Sequence, residues 1–164
     1  MSIVHSIDSS LREKVLEHLF VGDLLRCLWR RDIRGVEVLR AEVDRGGYDL
    51  VLEYQGIIRH VQLKSSYNKA KTADQKISLN LARKPSGCVI WLLFDPDSME
   101  LGPFLWFGNE PGLPLPLLGD KVAKHSKGTS EGLKNERANH RVVGKGKFTN
   151  LPAMNDVIEK LFLI

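Results

Sequence analysis

Residues 46–66, GGYDLVLEYQGIIRHVQLKSS, limit the fold more than any other stretch of the chain. They read as a glycine turn, a strand, a tight turn at Gln55 and Gly56, and a second strand. Side chains alternate across a strand. Asp49, Val51 and Glu53 are therefore expected on one face, with Tyr48, Leu50, Leu52 and Tyr54 on the other, while His60, Gln62 and Lys64 share a face of the second strand. An acid, an amide oxygen and a lysine then converge at neighbouring strand ends, a donor set suited to a hydrated divalent cation.

The flanking sequence supplies elements that can cover such a hairpin. Ser10 and Glu13 have the spacing of a capping box, and Leu11, Val15, Leu16, Leu19, Phe20, Leu24, Leu25 and Leu28 recur at three and four residues, predicting a helix that continues to about Trp29. Arg30, Arg31 and Arg34 suit its C-terminal end. Residues 36–43 resume a strand-like pattern, which makes a three-strand meander with the hairpin. Thr72 and Gln75 form a second capping-box pattern, predicting a helix that turns Ile77, Leu81 and Ala82 inward and stops at Pro85 and Gly87. Residues 88–94, CVIWLLF, are continuously apolar, as in a central strand covered on both faces after a crossover. Residues 104–107 predict a further strand. Asn150 and Pro152 mark the start of a last helix that docks through Leu151, Met154, Val157, Ile158, Leu161 and Phe162.

At 164 residues, this is one domain's worth of chain. No apolar run approaches the roughly 20 residues of a membrane helix, and residues 1–10 lack the pattern of a secretory signal. Cys27 and Cys88 lie in apolar surroundings without metal-ligand spacing, so both are expected buried and reduced, and the cytoplasm is the expected location. Residues 121–147 carry eight basic side chains against Glu131 and Glu136, a local charge of +6 in a chain whose net charge is +4. A polar, loop-like region of that charge suits a phosphate backbone, with Lys124, Lys127, Lys134, Arg137, Arg141 and Lys145 as the expected contacts and Ser126, Asn139 and His140 as added donors, although basic loops also serve solubility alone. The sequence from Gly144 to Lys147 lacks P-loop spacing, and there is no zinc pattern, nucleophile elbow or dinucleotide fingerprint.

The order helix, three strands, helix, strand, with Asp49 on the second strand and Gln62-x-Lys64 on the third, resembles the PD-(D/E)XK nuclease superfamily, which includes restriction endonucleases and Holliday-junction resolvases. The resemblance spans about residues 10–94. It implies an α/β restriction endonuclease-like core, a mixed sheet flanked by helices, over residues 10–107. A proline-containing and basic loop region (108–149) and a docking helix (150–164) would follow within the single domain 1–164. It also implies a metal-dependent endonuclease that hydrolyses DNA phosphodiester bonds, with Glu17, Asp49, Gln62 and Lys64 as catalytic residues. Mg2+, replaceable by Mn2+, would be held by Asp49, the Gln62 amide oxygen and the Leu63 carbonyl, with Glu17 holding a metal-bound water. Two departures stand out: Tyr48 occupies the proline position, and Gln62 replaces the usual second carboxylate. Each residue also has a plainer use. Asp49 could bond turn amides, Glu17 could be an exposed helix acid with Glu13 as its rival for the site, and Gln62 with Lys64 could be an ordinary polar strand face. The alternative is a catalytically inactive nucleic-acid-binding or protein-interaction module of the same fold. DNA is the expected partner, RNA the weaker one, a membrane is not expected, and a homodimer is left open.

Overall fold

The structure, a computed structural model, describes residues 8–43, 45–125 and 136–164. Helix α1 (Ser9–Arg30) leads into strands β1 (Glu37–Arg40), β2 (Leu50–Tyr54) and β3 (Ile57–Tyr67). Strand β4 (Asp74–Ser78) and the single-turn α2 (Leu79–Ala82) follow, then β5 (Gly87–Phe94), β6 (Leu101–Gly108), β7 (Val122–Lys124), β8 (Glu136–Gly144), β9 (Thr149–Leu151) and α3 (Met154–Phe162). Six strands form a mixed sheet in the order β1-β2-β3-β5-β6-β9, and a second sheet has the order β4-β8-β7. Within the large sheet only the β3–β5 pair is parallel. The result is a mixed α/β fold with a multi-strand sheet flanked by helices.

Period-2 alternation divides the core between the two faces of this sheet. Leu50, Leu52, Val61, Cys88, Ile90 and Leu92 pack under α1 and α3, against Leu16, Phe20, Leu24, Leu28, Ile158 and Leu161. Val89, Trp91, Leu93, Leu105 and Phe107 pack on the other face against Ile77, Leu81, Val143 and Phe148, which come from the second sheet and its connections. Every residue of β5 is buried, as its unbroken apolar run requires. The β2–β3 turn places Gln55 at φ 50 and Gly56 at φ 83, the left-handed pair that a two-residue hairpin needs.

Several expectations are corrected. The predicted helix at Thr72 is strand β4 instead: residues 74–78 pair antiparallel with β8, and helix is confined to α2, where Ser78 Oγ accepts from the Asn80 N–H at 3.2 Å. The ladder partner lies some 65 residues away, and its hydrogen bonds override the local helical pattern. The same ladder gives structure to the region expected to be loop, which contains β7 and β8. Helix α1 begins at Ser9 with Asp8 as N-cap and no side-chain cap bond, so the Ser10–Glu13 capping box does not form. Leu11, Val15, Leu25 and Trp29 point to solvent rather than to the core. Strand β1 is shorter than residues 36–43, and Tyr48 packs with the second-sheet cluster instead of sharing the face of Leu50. Asn150 lies in β9; the turn of α3 is closed by Asp156 Oδ2 accepting from the Ala153 N–H at 2.8 Å. Cys88 is buried, but Cys27 is half-buried with its thiol 3.0 Å from Asn155 Oδ1.

Candidate active site

Strand β3 outruns its neighbour. Its pairing with β2 ends at Val61, opposite Leu50, whereas its pairing with β5 continues to Tyr67. Residues 62–67 therefore have a strand on one side only, and a cleft of about 510 Å³ opens against that edge. Helix α1 lines it with Ser10, Glu13, Lys14, Leu16 and Glu17, the hairpin with Asp49, Gln62, Leu63, Lys64 and Ser65, and β4 with Gln75. The four expected catalytic residues, Glu17, Asp49, Gln62 and Lys64, all line this one cleft.

Asp49 sits where β2 begins. Its N–H donates to the Val61 carbonyl at 2.8 Å and its own carbonyl accepts from Ala41 at 3.3 Å, so the backbone is held from both neighbouring strands. Oδ2 accepts the Leu63 N–H at 2.7 Å. That bond aims the carboxylate at β3, and because a strand residue projects its N–H and C=O toward the same edge, the Leu63 carbonyl also faces the open side. Gln62 is 8% exposed, and its Oε1 is buried with no hydrogen-bond partner among the described residues. A buried acceptor in that condition costs about 1–3 kcal/mol. Lys64 shares the Gln62 face by alternation and stands beside Trp91 in the β3–β5 register.

Glu17 is buried although its helix neighbours Lys14 and His18 are exposed. Arg40 Nε donates to Oε1 at 2.7 Å and Lys14 Nζ to Oε2 at 2.9 Å. Burial by itself favours the neutral acid, but the hydrogen bonds from Lys14 and Arg40 prevail and hold the carboxyl below its ordinary range; the same bond raises Lys14. Glu17 is thus an anion with both oxygens engaged; Glu13 and Glu17 both line the cleft, and Glu17 is the buried one of the two. His60 lies elsewhere, with Nδ1 3.2 Å from the Pro85 carbonyl and its ring edge-on to Tyr48 at 4.9 Å. Burial lowers its pKa, consistent with a structural residue.

The donor set fits a hard cation held by few protein oxygens. Among the described residues no three His, Cys, Asp or Glu side chains cluster to hold a metal, but the partnerless Gln62 oxygen, in a cleft that Asp49 also lines, is the kind of acceptor that such an ion satisfies, with water completing its shell. Glu17, expected to hold one of those waters, has both oxygens bonded to cations first.

Of the expected nucleic-acid contacts, Lys127 and Lys134 lie outside the described residues, as do Ser126 and Glu131. Lys124 ends β7. Arg141 folds back, its Nη1 donating to the Ala138 carbonyl at 2.7 Å, and Arg137 Nη2 lies 3.3 Å from His140 Nε2. Lys145 Nζ sits 5.7 Å from the centre of the Trp91 ring, the register neighbour of Lys64. Lys14 and Arg40 are not singled out by the sequence, and Gln75 is read there only as a capping residue. Lys14 was legible as a base three residues before Glu17, whereas Gln75 was hidden by the misassigned helix.

Fold and cleft together define a mixed α/β protein with a charged, oxygen-rich pocket at a sheet edge. No protein-family model and no curated protein matches the chain. Among solved structures it is similar to a bacterial homing endonuclease, I-Ssp6803I, at 19% sequence identity and a TM-score of 0.38, covering 76% of this chain and 87% of that one.

Proposed function

We propose that the chain is a metal-dependent endonuclease, a Gln-x-Lys variant of the PD-(D/E)XK superfamily, that hydrolyses DNA phosphodiester bonds at the β3 edge. The observation that carries this reading is the convergence of Asp49, Gln62, Lys64 and Glu17 on one cleft, with the Gln62 oxygen buried and without a hydrogen-bond partner among the described residues. Asp49 and Gln62, with the Leu63 carbonyl, would hold Mg2+ or Mn2+. Bound there, the ion supplies Lewis-acid stabilisation of phosphoryl charge and acidifies its water. Lys64 orients the attacking water and takes or returns its proton at Nζ, or stabilises charge on the phosphoryl oxygens. Glu17, kept anionic by Arg40 and Lys14, holds those two cations at the cleft wall, where Lys14 meets the DNA backbone. Lys145 extends the phosphate-binding surface beyond Trp91.

One observation favours a second reading, a non-catalytic nucleic-acid-binding or protein-interaction module of the same fold: both oxygens of Glu17 are already bonded to protein cations. Cleavage of single-stranded, duplex and branched DNA, with an RNA control, in Mg2+ or Mn2+ separates the two. The nuclease reading expects DNA cleavage by wild type and its loss in Asp49→Ala and Lys64→Ala. Equal cleavage by all three proteins identifies a contaminant, and DNA binding without cleavage supports the module.

A further inference from the structure

Helix α1 carries two apolar stripes, and the core uses one of them. Leu16, Phe20, Val21, Leu24 and Leu28 are buried, whereas Leu11, Val15, Leu25 and Trp29 remain 64, 37, 42 and 67% exposed. With His18 and Gly22, also exposed, these residues follow one another at alternating intervals of four and three along the helix. That is the heptad spacing of a helix–helix seam, and at 3.6 residues per turn it lies roughly 150° around α1 from the buried stripe. Gly22 has no role in the monomer's packing: a Cβ there would meet nothing within 4 Å. A mid-helix glycine nevertheless weakens a helix relative to alanine.

The stripe is complementary to itself. In an antiparallel pair with its twofold axis at the level of Phe20, positions 11 and 29 come opposite one another, as do 15 and 25, and 18 and 22. Leucine then meets tryptophan, valine meets leucine, and the His18 ring faces the space left by Gly22. We propose that a second copy of this chain covers the face, through antiparallel pairing of α1 with α1 in a twofold homodimer. The four apolar side chains leave about 400 Å² in water, within the range of the largest apolar patch on a typical monomer, which is often functional. This is roughly half of the ~800 Å² per partner of a standard interface, and the flanking Arg12, Leu19 and Arg26 add to the contact. Like-charged Arg12 and Arg26 come near each other across the pair, but Arg26 is neutralised by Asp23 at 2.6 Å. His18 Nδ1 lies 3.3 Å from Arg40 Nη2, so the seam also borders the Arg40–Glu17 pair at the cleft wall. The seam requires no nuclease activity at the cleft.

Sedimentation equilibrium of the full chain over a wide concentration range tests it. Wild type is expected to rise from 18.5 kDa toward twice that mass. Val15→Glu alone and Leu25→Lys alone are each expected to give monomer, because each sets a charge against an apolar side chain. Their combination is expected to restore the dimer, since the register brings the two new charges together twice. Circular dichroism confirms that each variant folds. A wild type that is monomeric throughout, as a different natural partner for this face would leave it, overturns the proposal; so does a dimer indifferent to the single substitutions, or a combined variant that stays monomeric.

Discussion

Glu17 shows how two side chains, Lys14 and Arg40, decide what one carboxylate does. Its folded pKa lies below the ordinary value of 4.5, so the stabilisation from Lys14 and Arg40 is complete above that value and is lost as pH falls through the folded pKa. Both cations are largely exposed, which limits the net contribution through solvent screening. Glu17→Gln is therefore expected to lower stability at neutral pH by about 1–2 kcal/mol. It should also flatten the fall in melting temperature below pH 4.5, measured by thermal unfolding across the acid range. Gln62 tests the metal. An added carboxylate strengthens attraction for a divalent ion, so Gln62→Glu should tighten Mn2+ binding in calorimetric titration, and Asp49→Asn should bind scarcely at all. Equal binding by these variants and wild type would exclude both residues as ligands.

At the scale of elements, the site depends on a contact between a turn and the second sheet. Gly47, two residues before Asp49, has φ +73, and a Cβ there would stand 2.6 Å from Ser78 Cβ and 2.7 Å from Ser78 Oγ. Only glycine combines that backbone with that approach. Gly47→Ala should cost at least about 2 kcal/mol in denaturant unfolding, the left-handed strain adding to displacement of the β4–α2 junction. The same displacement shifts Asp49 and Gln75, so in folded protein the variant should also lose Mn2+ affinity, whereas Gly22→Ala, which meets no neighbour within the chain, should stabilise the monomer by up to about 1 kcal/mol.

For the whole molecule, the decisive feature is that the large sheet is covered differently on its two faces. Helices cover one, and a basic three-stranded sheet covers the other and reaches the cleft at Gln75, with Lys145, just after β8, over the Trp91 ring. If this sheet tracks phosphates, alanine at Lys124, Arg137, Arg141 and Lys145 should weaken DNA binding across sequences. The log–log salt slope should fall by about 0.9 for each duplex phosphate that is no longer neutralised. The unfolding midpoint should change little, since none of the four is buried. An unchanged slope in fluorescence-anisotropy titrations would assign the DNA surface elsewhere.

Patterns complete within a few neighbouring residues were legible without the fold. The Gln55-Gly56 turn, the buried β5 run, the extent of α1 and the approach of Asp49 to Gln62-x-Lys64 follow from alternation, helical period and turn chemistry, whose energetics are local. The rest needed partners distant in the chain. Strand β4 exists because β8 offers it a ladder, and Gln75 enters the cleft only as a consequence. Glu17 was legible as a candidate, but its charge state depends on Arg40, 23 residues away on β1. The choice between the two apolar stripes of α1 was also undetermined by periodicity, since both recur at three and four residues; the orientation in which the helix lies on the sheet decided which was removed from water.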